Sequence, residues 1–94
     1  MGLAILSENQ TVDGPSTEVA QLKGGTQYLI VEGNLGGGSI AIGMKTPDEG
    51  LVEITPFADV TVEGATAFEA VEGMIIASNL SGSTGANVNI WVTT

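Results

Sequence analysis

The sequence predicts an all-β chain, a single-domain antiparallel β-sandwich of jelly-roll-like type with about eight short strands. Three observations carry that expectation. Short runs rich in Val, Ile and Thr recur, separated by clusters of Gly, Asn, Asp and Ser at roughly 8–12-residue intervals. Helical periodicity is almost absent, with Glu18–Lys23 the one stretch that admits a helical turn. The length, 94 residues, suffices for one hydrophobic core and not for two. Residues 1–94 are therefore read as one domain, with 1–16 an N-terminal strand and loop that is a candidate partner-contacting arm.

Taken in order, Ala4–Leu6 is a first short strand and Glu8–Ser16, with Asp13-Gly14-Pro15, a loop. Thr17–Leu22 is a modest strand ended by Lys23-Gly24-Gly25. Thr26–Glu32 is the strongest strand of the first half: Tyr28 and Ile30 share one face, Leu29 and Val31 the other, so both faces are apolar. Gly33 to Gly38 turns the chain into Ser39–Met44, where Ile40, Ile42 and Met44 lie on one face. Thr46-Pro47-Asp48-Glu49-Gly50 is the next turn. Leu51–Thr55 is stopped by Pro56, and Phe57–Val62 follows with Val60 and Val62 on one side. Glu63-Gly64-Ala65 turns into Thr66–Val71, and Glu72-Gly73 into Met74–Ser78, which is apolar on both faces at Ile75 and Ile76. Ser81 to Gly85 is the last loop and Asn87–Thr93 the last strand. Val-Glu-Gly occurs at 31–33, 62–64 and 71–73; the unequal spacing is not that of a solenoid, and each copy is read as a strand end whose Gly supplies an unusual backbone angle.

Composition removes most catalytic chemistry. The chain has no Cys, no His and no Arg, and its cations Lys23 and Lys45 face 11 carboxylates, for a formal charge of −9. Histidine is the usual acid–base group near neutral pH, and transition-state anions are usually held by Arg, Lys, a metal or oriented amides. An enzyme is not expected, and neither is a cofactor. Nucleic acid and anionic membrane surfaces would repel a chain this acidic. No stretch approaches a membrane span, and Met1 to Leu6 lacks the basic start of a signal peptide, so the chain is expected to be made and used in a cytoplasm, or released from the cell by lysis.

Candidate chemical sites are few. Asp48-Glu49 and the Glu69/Glu72 pair sit in or beside turns, where solvated charge explains them better than a glycosidase pair. Asp48 and Glu49 could offer calcium ligands, but no EF-hand loop pattern is present and no metal site is assigned. Gly36-Gly37-Gly38 lacks the Lys-Ser/Thr of a P-loop and precedes a strand, so it is read as a β-turn. Asn9-Gln10-Thr11 and Asn79-Leu80-Ser81 match the glycosylation pattern and are read as chance matches.

The informative surplus is apolar. Strands 26–32, 74–78 and 87–93 carry apolar residues on both faces, whereas a two-layer sandwich covers only the inner one. In the last strand Val88, Ile90 and Val92 fall in core register, and Trp91 points the other way beside Asn87 and Asn89. The surplus predicts subunit contact, as a homo-oligomer with a trimer favoured, or docking onto a larger shell. The candidate interface residues are Trp91, Ile90, Val92, Tyr28, Ile75, Leu3 and Ile5.

The run from Gly25-Thr26-Gln27-Tyr28 through Val31-Glu32-Gly33 to Gly37-Gly38-Ser39-Ile40 resembles the strand–Gly-turn–strand core of small tailed-bacteriophage virion proteins. Thr46-Pro47-Asp48-Glu49-Gly50 is similar to their following Pro-Asp-Gly turn, and Ser81-Gly82 to Val92 to their closing segment, so the resemblance spans residues 17–93. It implies a virion structural role, as a capsid decoration or cement protein or a head-fibre base, with the major capsid protein or another virion protein as partner. It implies no catalytic residues. The alternative is a receptor- or carbohydrate-binding module of a tail or fibre, which must manage with Tyr28, Phe57, Phe68 and Trp91 as its aromatic platforms.

Overall fold

A computed structural model of the chain describes residues 2–45, 48, 51–53 and 60–94. Its strands are β1 (Leu3–Gln10), β2 (Gly14–Pro15), β3 (Ala20–Gln21), β4 (Gly25–Asn34), β5 (Ser39–Lys45), β6 (Leu51–Glu53), β7 (Gly64–Ala70), β8 (Ile75–Ser81) and β9 (Asn87–Thr93). No helix occurs among the described residues. All pairing is antiparallel and nested: β1 with β9, β2 and β3 with β8, β4 with β7, and β5 with β6. Two further pairings, β4 with β9 and β5 with β8, roll this nested hairpin into two sheets. One has the order β1-β9-β4-β7; in the other β2 and β3 lie end to end along β8, followed by β5 and β6. That strand order is the eight-lane jelly roll, as the sequence predicts.

Period-two alternation builds the core between the sheets. Leu6, Leu29, Val31, Phe68, Val88, Ile90 and Val92 enter it from the first sheet; Ala20, Ile40, Ile42, Ile76 and Leu80 enter from the second. Thr93 and Gln27 add a buried polar link. The Tyr28 N–H donates to Thr93 Oγ1 at 2.7 Å, and that hydroxyl donates to Gln27 Oε1 at 2.8 Å. A satisfied buried pair of this kind fixes how β9 lies against β4.

Several boundaries differ from the sequence expectation. β1 continues to Gln10, through residues expected in a loop, because two irregularities carry it past β9: Ile5 opposes Trp91, Ser7 opposes Ile90, and Gln10 opposes Val88. Each step inserts one extra residue in β1, so Leu6 and Ser7 are both buried and Asn9 takes φ 52°. Such bulges also blunt an edge strand against unwanted pairing. Thr17–Leu22 contributes only Ala20–Gln21 as strand and no helical turn. Gly64 and Ala65 belong to β7 rather than to a turn. Of the three Val-Glu-Gly copies only the last follows a strand; the first lies inside β4 and the second leads into β7, although Gly33, Gly64 and Gly73 all have positive φ. Val60 forms a single bridge with Ile40, while Phe57–Asp59 and most of the 46–50 turn lie outside the described residues.

Asp13 joins two distant loops. Its carboxylate accepts the N–H groups of Gly82 and Ser83 at 3.0 and 3.1 Å and the Ser83 hydroxyl at 2.5 Å. These donors, the Ser83 hydroxyl first, hold its pKa below the ordinary carboxylate value. A carboxyl with a lowered folded pKa contributes stability above its unfolded pKa and loses it as pH falls through the folded one. Unfolding followed by circular dichroism should therefore show a stability loss in acid, below about pH 4, that is smaller in Asp13→Asn. An unchanged acid limb in that variant would remove the assignment.

Candidate docking face

The outer face of the β1-β9-β4-β7 sheet is where the alternation leaves its surplus. With Val88, Ile90 and Val92 turned inward, Trp91 must point outward. Its cross-strand partners are Ile5 on β1 and Ile30 on β4, and Ile30 in turn opposes Ala65 on β7. One row therefore crosses all four strands as Ile5, Trp91, Ile30 and Ala65. In the neighbouring row Leu3 opposes Thr93, whose hydroxyl accepts the Tyr28 N–H, and Tyr28 opposes Ala67. Leu3, Tyr28 and Ile5 are 56%, 45% and 44% exposed, while Trp91 and Ile30 are half-buried between their neighbours.

Neither row contains a charged residue. Charge returns only at the two margins. At one, Thr26 Oγ1 donates to Glu69 Oε1 at 2.5 Å. At the other, Asn89 accepts the Asn9 N–H at 2.8 Å, Glu32 pairs with Asn89 across the strands, and Glu63 accepts the Gly33 N–H at 3.0 Å. Neither Lys23 nor Lys45 lies in this sheet. The opposite sheet contrasts with it. The outward pairs of β5 and β8 there are Ser39 with Ser81, Ala41 with Asn79 and Gly43 with Ala77, small or polar, with Ile75 at the start of β8 an exposed apolar residue beyond them.

This placement brings together Leu3, Ile5, Tyr28 and Trp91 from the candidate interface and separates the other three. Ile90 and Val92 are 0% exposed and belong to the core, because side chains adjacent to Trp91 in a strand must point the other way. They support the face from behind and cannot touch a partner. Ile75 is on β8, in the other sheet. In the N-terminal segment β1 is paired with β9 and β2 with β8, so Leu3 and Ile5 reach the surface as part of the first sheet. Ile30, Ala65 and Ala67 complete the rows. Ile30 was signalled by its alternation with Tyr28, whereas the two alanines carry no signal of their own.

Physically the face is an exposed apolar patch. By strand geometry its two rows cover roughly 19 Å across and 14 Å along, on the order of 300 Å². A stable interface uses about 800 Å² per partner, so this face alone would hold a partner weakly. The indole N–H of Trp91 is buried without an acceptor, so it is not presented to a ligand. Among the described carboxylates, Glu69 binds Thr26, Glu72 accepts the Gly24 N–H at 3.3 Å, and Asp13 binds the Gly82–Ser83 turn. Among the described residues no three acidic groups stand together as a metal site would require. Two small depressions, about 240 and 280 Å³, lie at the Val60–Thr66 edge and along Ser7–Thr17.

The chain matches no family model and no curated protein.

Proposed function

We propose that this chain is a viral structural protein, a decoration or cement protein bound in many copies to the capsid surface, with the major capsid protein or another virion protein as its partner. The observation that carries the reading is the pair of charge-free rows crossing one face of the jelly roll. Jelly rolls recur in viral capsid and lectin domains, and the resemblance of residues 17–93 to small phage virion proteins directs the choice toward the virion. Fold alone does not assign function, so the weight rests on the face.

The mechanism is passive. A contact too small to hold one free partner becomes effective when repeated over a lattice, where neighbouring contacts raise the effective concentration of each copy. The solvent-facing carboxylates keep the coated particle soluble. The trimer expected from the surplus of apolar strand faces would form through surfaces other than the docking face, and assembly would take place in the host cytoplasm. A sugar-binding reading has Tyr28 and Trp91 on one face in its favour, but their rows offer few free hydrogen-bonding groups for sugar hydroxyls, and the Trp91 N–H is sealed.

Mass spectrometry of density-purified particles from cells carrying the gene tests this. The reading expects the chain on the particles in a fixed, high ratio to the shell protein. Its absence from intact particles would overturn it.

A further inference from the structure

The charge pattern of the face narrows what can sit on it. Two stacked copies of this chain would place apolar rows together, and the charged groups hydrogen-bonded into the margins are carboxylates: Glu69 at one end, Glu32 and Glu63 at the other. When the strands of the two copies run roughly parallel or antiparallel, like charge meets like charge at both ends, and such juxtaposition selects against the wrong partner. A net charge of −9 adds a repulsion of the same sign over the whole molecule. The face is also too small to outweigh that repulsion by apolar burial.

We infer that the surface seated on the β1-β9-β4-β7 face belongs to a different protein and carries an apolar centre with lysine or arginine side chains along its two margins. This deepens the docking reading by naming the chemistry of the partner and by separating it from self-association. Leu3, Ile5, Tyr28 and Trp91 supply the centre; Glu32, Glu63 and Glu69 set the orientation and the rate of encounter.

The probe is a copy of the chain with its margins reversed, Glu32→Lys/Glu69→Lys, which presents an apolar centre flanked by lysines. Unlabelled reversed chain is titrated into ¹⁵N-labelled wild type, and the Trp91 indole N–H resonance is followed. Half-saturation is expected at a concentration at least about tenfold lower than with unlabelled wild type, and the difference should collapse in about 0.5 M salt. Equal or tighter self-association of the wild type would overturn the inference, as would the absence of any shift with either titrant. If the reversed chain fails to fold, Glu32→Gln/Glu69→Gln replaces it: loss of the like charges should let that variant self-associate more tightly than wild type, and no change would overturn the inference. These outcomes are independent of any virion. A chain present on particles but indifferent to the reversed copy leaves the virion reading standing and removes this one; selective binding of the reversed copy with no chain on particles does the opposite.

Discussion

Ile90→Ala is expected to destabilise the fold by about 2–5 kcal/mol, the range for truncating a fully buried isoleucine. Ile90 is 0% exposed on β9, a strand with neighbours on both sides, and it packs in the cluster shared by both sheets. Little of that cavity can close, because β9 is held by β1 and β4 together. For a domain of this length each kcal/mol shifts the melting temperature by about 4–8 °C, so the variant should melt at least about 8 °C lower. Ile5→Ala, one row away on the outer face, should change stability by under about 1 kcal/mol. Thermal melts of the two side by side decide between core and surface roles. A small effect at Ile90 would contradict the placement.

Gly33→Ala is expected to be as damaging for a different reason. Gly33 has φ +114°, a region closed to side chains, and a Cβ there would overlap the carbonyl oxygen of Asn87 on the paired strand. The obstacle is backbone, so relief requires β4 and β9 to separate. Backbone strain of this kind costs about 1–3 kcal/mol, and the overlap places the total at about 3 kcal/mol or above. Gly37 is the control: φ is +77° but a Cβ would meet open space, so Gly37→Ala should cost only about 1–2 kcal/mol. Urea unfolding of both variants measures the difference, and equal losses would remove the close approach as the cause.

The legible parts of the fold are those where alternation is unbroken. Asn87–Thr93 is read correctly from Val88, Ile90 and Val92, and Ser39–Met44 from Ile40, Ile42 and Met44. β1 is under-read because its two bulges scramble the alternation after Leu6, and the run Ser7-Glu8-Asn9-Gln10 looks like loop. Asp13 is read only as part of a loop, since its partners Gly82 and Ser83 are distant in sequence and meet it through the nested pairing.

The face was half legible. The outward side of Trp91 follows from the same alternation, whereas nothing in the sequence gives Tyr28 and Ile5 a common location. What joined them was cross-strand register, which local sequence does not encode: Ile5 and Ile30 flank Trp91 only because β9 lies between the first strand and the fourth. Adjacency in sequence drew Ile90 and Val92 into the same group, although a period of two places them behind the sheet.

The most direct measurement concerns the face itself. Leu3→Ser, Ile5→Ser and Tyr28→Ser combined in one chain, offered to particles assembled without the gene, should leave the melting temperature near that of wild type and cut occupancy of the particle at least about tenfold. Full occupancy by that folded triple variant would mean that another surface does the binding.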